Sequence, residues 1–132
     1  MSEKIVLDTN VLVSSLWSAN GKPSAIVSAA LTGRFAVCYD ARIVTEYENV
    51  LRRPKFKFSP WEVDSLLAEI VSEGISVIAP SIIDVPFVDE SDRKFYEVAK
   101  FCGATLITGN MKHYPNDECV VTVAEFYEKY FM

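Results

Sequence analysis

Short apolar runs alternate with amphipathic stretches along almost the whole chain. Residues Lys4 to Leu7 form a brief apolar run that ends at Asp8 and reads as a buried strand. Val11, Leu12, Ser15 and Leu16 then follow helical spacing. Asn20-Gly21-Lys22-Pro23 is a turn, and Pro23 suits the start of a helix that stops near Gly33. Phe35 to Tyr39 is a second strand. Ile43, Val44, Tyr47, Val50 and Leu51 give a helix that ends before Pro54. The clearest signal follows: Ser59 is a natural N-cap, Pro60 falls at the first helical position and Glu62 completes a capping box. Val63, Leu66, Leu67, Ile70 and Val71 form the apolar stripe of that helix, and Gly74 ends it. Ser76 to Ala79 reads as a third strand, closed by Pro80. Asp89, Glu90 and Asp92 start a helix carried by Phe95, Val98, Ala99 and Cys102 and stopped by Gly103. Thr105 to Thr108 is a fourth strand and Cys119 to Val121 a short fifth. Thr122 and Glu125 form a second capping box, opening a C-terminal helix with Phe126, Tyr127, Tyr130 and Phe131.

Short β-branched runs between amphipathic helices predict an α/β fold around a parallel sheet. No repeat, low-complexity stretch or linker interrupts the pattern, so residues 1–132 read as a single domain. At 14.8 kDa a folded chain buries about two thirds of its unfolded surface, enough for a core without staples. Hydrophobic residues at 50% and charged residues at 23% exclude whole-chain disorder. The three cysteines, Cys38, Cys102 and Cys119, are odd in number, lack metal-site spacing and sit in apolar contexts. Buried, inert thiols are the expectation. Together with a start that lacks a signal-peptide apolar region, they predict a cytoplasmic protein. No apolar run reaches about 18 residues, so no membrane partner is expected. The net charge of −5 disfavours nucleic acid at first sight. Clustered carboxylates that bind divalent ions would supply the missing positive charge.

A parallel sheet sets the carboxyl ends of its strands along one edge, where ligands bind. Asp8 ends the first strand, and Glu46 and Glu48 lie on the helix after the second. Asp89, Glu90 and Asp92 start the helix after the third, and Asn110 follows the fourth. Carboxylates that converge without cations raise one another's pKa, and a hard divalent ion such as Mg²⁺ or Mn²⁺ relieves this. Each residue also has an ordinary explanation. Asp8 suits a helix N-cap, and Asp89 and Asp92 have N-cap and N3 spacing. Periodicity does not separate Glu46 from Glu48, and Asn110 in Thr-Gly-Asn suits a turn.

Four segments resemble the PIN domain: Ile-Val-Leu-Asp-Thr-Asn-Val-Leu-Val-Ser at 5–14, Glu-Tyr-Glu-Asn-Val-Leu-Arg-Arg-Pro-Lys-Phe at 46–56, Asp-Glu-Ser-Asp-Arg-Lys-Phe-Tyr-Glu-Val-Ala at 89–99 and Leu-Ile-Thr-Gly-Asn at 106–110. They occur in the family's order over nearly the whole chain. The likeness is greatest to the small prokaryotic, VapC-like PIN proteins that are toxin components of toxin–antitoxin systems. The resemblance implies a three-layer α/β/α sandwich with strand order 3-2-1-4-5. It also implies a metal-dependent ribonuclease site using one or two Mg²⁺ or Mn²⁺ ions. Asp8, Glu46 and Asp92 match the family's three acids, which selects Glu46 over Glu48. Asp89 matches an accessory metal-binding acid, and Asn10 the residue that helps orient the first acid. Many relatives carry a further acid just after the fourth strand, where this chain has Asn110. That departure implies a weaker second metal site, a single ion, or lost activity. A homodimer and a small antitoxin protein are the partners implied.

Arg52, Arg53, Lys55 and Lys57 form a basic run beyond the Glu46 helix. It suits a solvated helix end or a clamp on RNA phosphates. Phe56, Phe58 and Trp61 interleave with it and suit core or dimer packing, or stacking on unpaired bases. Trp17 and the aromatic C-terminal helix, if exposed, would mark a partner groove. His113, the sole histidine, reads as a surface-loop residue. The leading function is a Mg²⁺- or Mn²⁺-dependent endoribonuclease that hydrolyses RNA phosphodiesters with water activated by the ion. The alternative is a weak or inactive module that keeps the fold and binds without cleaving. A phospho-aspartate enzyme built on Asp8 ranks last, because Asp8-Thr9-Asn10 lacks the second acid such phosphatases use.

Overall fold

The computed structural model describes residues 3–132. Its elements run β1 (Glu3–Leu7), α1 (Thr9–Trp17), α2 (Lys22–Leu31), β2 (Phe35–Tyr39), α3 (Ala41–Leu51), α4 (Pro60–Glu73), β3 (Ile75–Ser76), α5 (Arg93–Cys102), β4 (Thr105–Thr108), β5 (Val120–Thr122) and α6 (Val123–Phe131). The strands form one parallel sheet in the order β3-β2-β1-β4-β5, as the resemblance implies. Consecutive strand residues point to opposite faces, so a central strand with both faces covered has no polar side. Ile5, Val6 and Leu7 in the middle strand are all fully buried and meet that condition.

Local chemistry sets the helix starts. Asp40 ends β2 and accepts the Ile43 N–H at 2.9 Å, capping α3. Both predicted capping boxes form, Ser59 with Glu62 and Thr122 with Glu125. Gly74 closes α4 where the chain passes under β2. A Cβ there would lie 2.5 Å from the Ile70 carbonyl oxygen and 2.6 Å from that of Val37. Phe126 of α6 is buried against Phe35 at a ring-centroid distance of 5.0 Å, and Tyr130 meets the same ring at 5.3 Å. The aromatic C-terminal helix therefore closes the core of its own chain and is not an open groove. Trp17 does stay exposed.

Two expectations need correction. The third strand is Ile75–Ser76, not Ser76 to Ala79. Cys38 and Tyr39 pair with it, and the Val77 N–H reaches the Tyr39 carbonyl at 2.9 Å. Beyond Tyr39 the partner strand turns into α3, so nothing remains to pair with Ile78. The helix after it also begins later than expected. Asp89 caps a single 3-10 turn, Glu90–Asp92, and α5 starts at Arg93. Two side chains of α5 pin the long connection before that turn. The buried Glu97 accepts the Ile82 N–H at 2.7 Å, and Arg93 donates to the Val85 carbonyl at 2.7 Å.

Candidate active site

Asp8 leaves β1 at its carboxyl end, as a parallel sheet requires of a ligand-facing residue. It occupies the N-cap position of α1, yet its side chain makes no capping bond. Both of its side-chain hydrogen bonds instead fall on Oδ2, from the Thr108 hydroxyl at 2.8 Å and the Tyr114 phenol at 2.8 Å. Burial raises the Asp8 pKa and the Glu46 charge adds to it, against the two hydroxyl donors. Asp92 likewise holds the N-cap position of α5 without capping it. Its Oδ2 lies 3.1 Å from His113 Nδ1. Burial, then the Asp8 charge, push Asp92 up to about 6, with the His113 hydrogen bond opposing. Helix capping therefore does not account for either carboxylate. Each is instead disfavoured as an anion, partly through its acidic neighbours.

Glu46 points to the same neighbourhood but is engaged. Its Oε1 accepts Lys94 Nζ at 2.7 Å, and its Oε2 accepts the Thr9 hydroxyl. Glu48, its rival by periodicity, pairs with Arg52 at 2.8 Å. Asp89 turns its Oδ1 back onto the Ser91 N–H at 2.9 Å and the Ser91 hydroxyl at 2.8 Å. Those bonds hold its carboxyl below the usual carboxylate range. Asn10 accepts the Gly109 N–H at 3.0 Å and so ties α1 to the loop after β4. Its side chain thereby steadies that loop. The Asn110 N–H donates to the Thr108 hydroxyl at 3.0 Å, which itself donates to Asp8.

The basic run divides. Arg52 joins Glu48 and Asp64, the latter at 2.6 Å. Arg53 lines a groove of about 710 Å³ beside Glu46 and Lys94. Lys55 and Lys57 are exposed and pair with no carboxylate among the described residues. His113 is not a bare loop residue. It ends the 3-10 turn Met111–His113, half-buried against Asp92. Tyr114, Thr108, Thr9 and Lys94 were missed by sequence reasoning. Thr108 closes β4 beside the Asp8 strand and so follows from the register, while Tyr114 sits in a loop with no periodic signal. Cys38 is buried, with burial pushing its thiol up to about 12, as inert thiols should be. Cys119 is half-buried and also reaches about 12.

The donor set partly fits a divalent ion. Asp8 and Asp92 offer carboxylate oxygens, the Asp8 charge opposes ionisation of Asp92, and no Lys or Arg pairs with either among the described residues. A cation between them would remove that opposition. No cluster of three or more acidic, His or Cys side chains is close enough to hold an ion among the described residues. Glu46 and Asp89, the other two acids expected there, are held by Lys94 and Ser91. The chain thus presents a two-carboxylate pair with two flanking acids.

A five-stranded parallel sheet in the order 3-2-1-4-5, with acidic residues gathered at its carboxyl edge, defines a class of α/β fold. The chain belongs to the PIN domain family, whose model matches residues 4–112. No curated protein matches it. Among solved structures it is similar to VapBC2 from Rickettsia felis bound to a DNA fragment from their promoter. That likeness has 12% identity and a TM-score of 0.59, over 90% of this chain and 96% of that one. It is also similar to PAE2754 from Pyrobaculum aerophilum. Here the identity is 15% and the TM-score 0.59, over 97% of this chain and 88% of that one. At these identities the fold is what is shared. No helix among the described residues is long and apolar enough to cross a membrane.

Proposed function

We propose that the chain is a Mg²⁺- or Mn²⁺-dependent endoribonuclease and the toxin component of a toxin–antitoxin pair. The observation that carries this reading is the neighbourhood of the buried Asp8 and the half-buried Asp92, where the Asp8 charge raises Asp92 and no Lys or Arg pairs with either among the described residues. Asp8 and Asp92 hold the ion, with Glu46 and Asp89 flanking. When bound, the ion supplies Lewis acidity and positive charge to an RNA phosphodiester. The Thr108 and Tyr114 hydroxyls fix the Asp8 carboxylate in one orientation. His113 Nδ1 does the same for Asp92. Asn110 brings an amide where many relatives have an acid, which favours one strongly held ion over two. A homodimer and a small antitoxin belong to the same proposal, supported by the fold shared with the Rickettsia felis VapBC2 structure. So does a cytoplasmic setting, where the free Cys38, Cys102 and Cys119 stay reduced.

One observation favours a second reading, a module that keeps the fold and binds RNA or protein without cutting. Lys94 occupies Glu46, the acid expected to complete the site. Cleavage of a mixed set of structured and unstructured RNAs, with Mn²⁺ or Mg²⁺, separates the two. The nuclease reading expects metal-dependent products that vanish in Asp8→Asn and fall sharply in Glu46→Gln. Wild-type protein that binds metal but cuts nothing in the set would move the assignment to the silent module.

A further inference from the structure

Away from the carboxylate edge, the fold brings two thiols together between the sheet and one helix. Successive residues of β2 point to opposite faces of the sheet. Phe35 meets Phe126 of α6, and the Tyr39 phenol donates to the Val71 carbonyl of α4 at 2.7 Å. Cys38, next to Tyr39, therefore points to the other face. The crossover from β3 to β4 runs back across the sheet, against the direction of β1 to β3, and so carries α5 onto that second face. There α5 packs on β1, β2 and β4. Phe95, Val98 and Ala99 form its buried stripe, and the same spacing turns Cys102 inward. The register sets the height. Ile5 pairs with Val37 on one side and Thr105 on the other, so β4 starts level with Val37. Cys102 precedes β4 by three residues and packs against the core cluster that holds Cys38. Burial, then the Cys102 side chain, raise the Cys38 thiol, as neighbouring thiols should.

Packing explains each thiol taken singly, since cysteine behaves as a small apolar residue. Side by side, the two also have a bond available to them that packing does not use. Their exposure differs. Cys38 is fully buried, whereas Cys102 is half-buried between the exposed Phe101 and Gly103. A small oxidant in solution therefore meets Cys102 first. Cys119, the third thiol, is out of reach of Cys38. It lies just before β5, three strand spacings from β2, or roughly 14 Å. A disulfide needs Cα atoms within about 7 Å.

We infer that Cys38 and Cys102 are a peroxide-sensitive dithiol that closes into a disulfide between β2 and α5. The Cys102 sulfur, as thiolate, attacks one peroxide oxygen. The O–O bond breaks, hydroxide leaves and takes up the proton the thiol lost, and Cys102 becomes a sulfenic acid. The Cys38 sulfur then attacks the Cys102 sulfur. The S–O bond breaks, and the hydroxyl leaves with the Cys38 proton as a second water. The two thiols lose two electrons in all, and one peroxide becomes two waters. The inference stands apart from the nuclease reading, because neither thiol belongs to the carboxylate site. It is tested on the full chain, reduced, freed of reductant and treated with excess hydrogen peroxide. The protein is then unfolded, its free thiols counted and its peptides mapped. Of the three thiols, only Cys119 should remain, with Cys38 linked to Cys102. The bridge should raise the melting temperature by roughly 10 °C, and dithiothreitol should reverse the rise. Cys102→Ser should leave Cys38 and Cys119 as thiols at the same dose. Cys38→Ala should halt Cys102 at the sulfenic acid, which dimedone traps. Cys102→Ser changes a half-buried position and keeps the test open should Cys38→Ala not fold. Three free thiols after peroxide, a Cys102–Cys119 link or a bridge between two chains would overturn the dithiol. So would Cys102 carried on to the sulfinic acid while Cys38 stays free.

Discussion

The phenol of Tyr114 donates to Asp8 Oδ2 at 2.8 Å, on the same oxygen that accepts the Thr108 hydroxyl. The two residues are 106 positions apart, so the loop after β4 is fastened to the end of the first strand through the Asp8 carboxylate itself. Burial and the charges of Asp8 and Asp92 raise the phenol's pKa, which keeps it a donor across the physiological range. Tyr114→Phe is expected to destabilise the fold by about 1–3 kcal/mol, because a buried carboxylate loses a donor. Urea denaturation measures this loss. Asp8 should then titrate higher still, and Mn²⁺ binding should shift to higher pH. An unchanged stability and metal profile would show that Tyr114 is a bystander.

Lys94 is expected to hold Glu46 out of the metal site. Replacing it with Met should free Glu46 and tighten Mn²⁺ binding about tenfold, which corresponds to ~1.4 kcal/mol. The same change should weaken RNA binding in EDTA, since it removes a cation from the groove. Calorimetry and anisotropy on one Lys94→Met preparation test both directions. Metal affinity that falls with RNA affinity would place Lys94 in support of the site, not in competition with it.

The raised carboxylates fix the sign of the pH dependence. Asp92 sits at about 6 in the fold against an ordinary 3.8, so its contribution to stability is full below about 4. That contribution is lost as pH rises through about 6. Asp8, raised in the same direction, adds to the effect. Asp117 and Asp89 are lowered, so their contributions are lost only as pH falls below the usual carboxylate range. Metal-free protein should therefore melt higher at pH 5 than at pH 7. Asp92→Asn should flatten that slope, and saturating Mg²⁺ should reverse it, because the ion binds the ionised pair. Thermal melts at the two pH values, in EDTA and in Mg²⁺, check all three.

Gly74→Ala tests the fold away from the site. Its Cβ would meet the Ile70 and Val37 carbonyl oxygens at 2.5 and 2.6 Å, so the backbone of α4 or β2 has to move. A loss of about 1–3 kcal/mol is expected in urea denaturation. The neighbouring Glu73→Ala, on the exposed end of α4, should change stability by under about 0.5 kcal/mol.

Local signals in the chain were enough for most elements. Ser59 with Glu62 and Thr122 with Glu125 are short-range chemistry, and both boxes form where the residues predict them. The third strand slipped because its extent depends on a partner. Asp40 ends β2 by capping α3, a fact carried 36 residues before Ser76 and invisible to the apolar run at 76–79. The strand order came from the family resemblance, since alternation alone gives a parallel sheet without its sequence of neighbours. The carboxylates were legible as an edge, but their engagements were not. Glu46 meets Lys94 across 48 positions, and Asp92 meets His113 across 21. Such pairings are tertiary, and no spacing rule reaches them. The Tyr114 contact with Asp8 is of the same kind.

The central claim is that Asp8 and Asp92 form a divalent-cation site, and Mn²⁺ titration of the metal-free protein tests it most directly. Calorimetry at pH 7 should find one tight ion per chain, weakened at pH 5 as the pair protonates, and lost in both Asp8→Asn and Asp92→Asn with the fold intact by circular dichroism. A wild type that binds no Mn²⁺, or binding that survives both substitutions, would contradict the account.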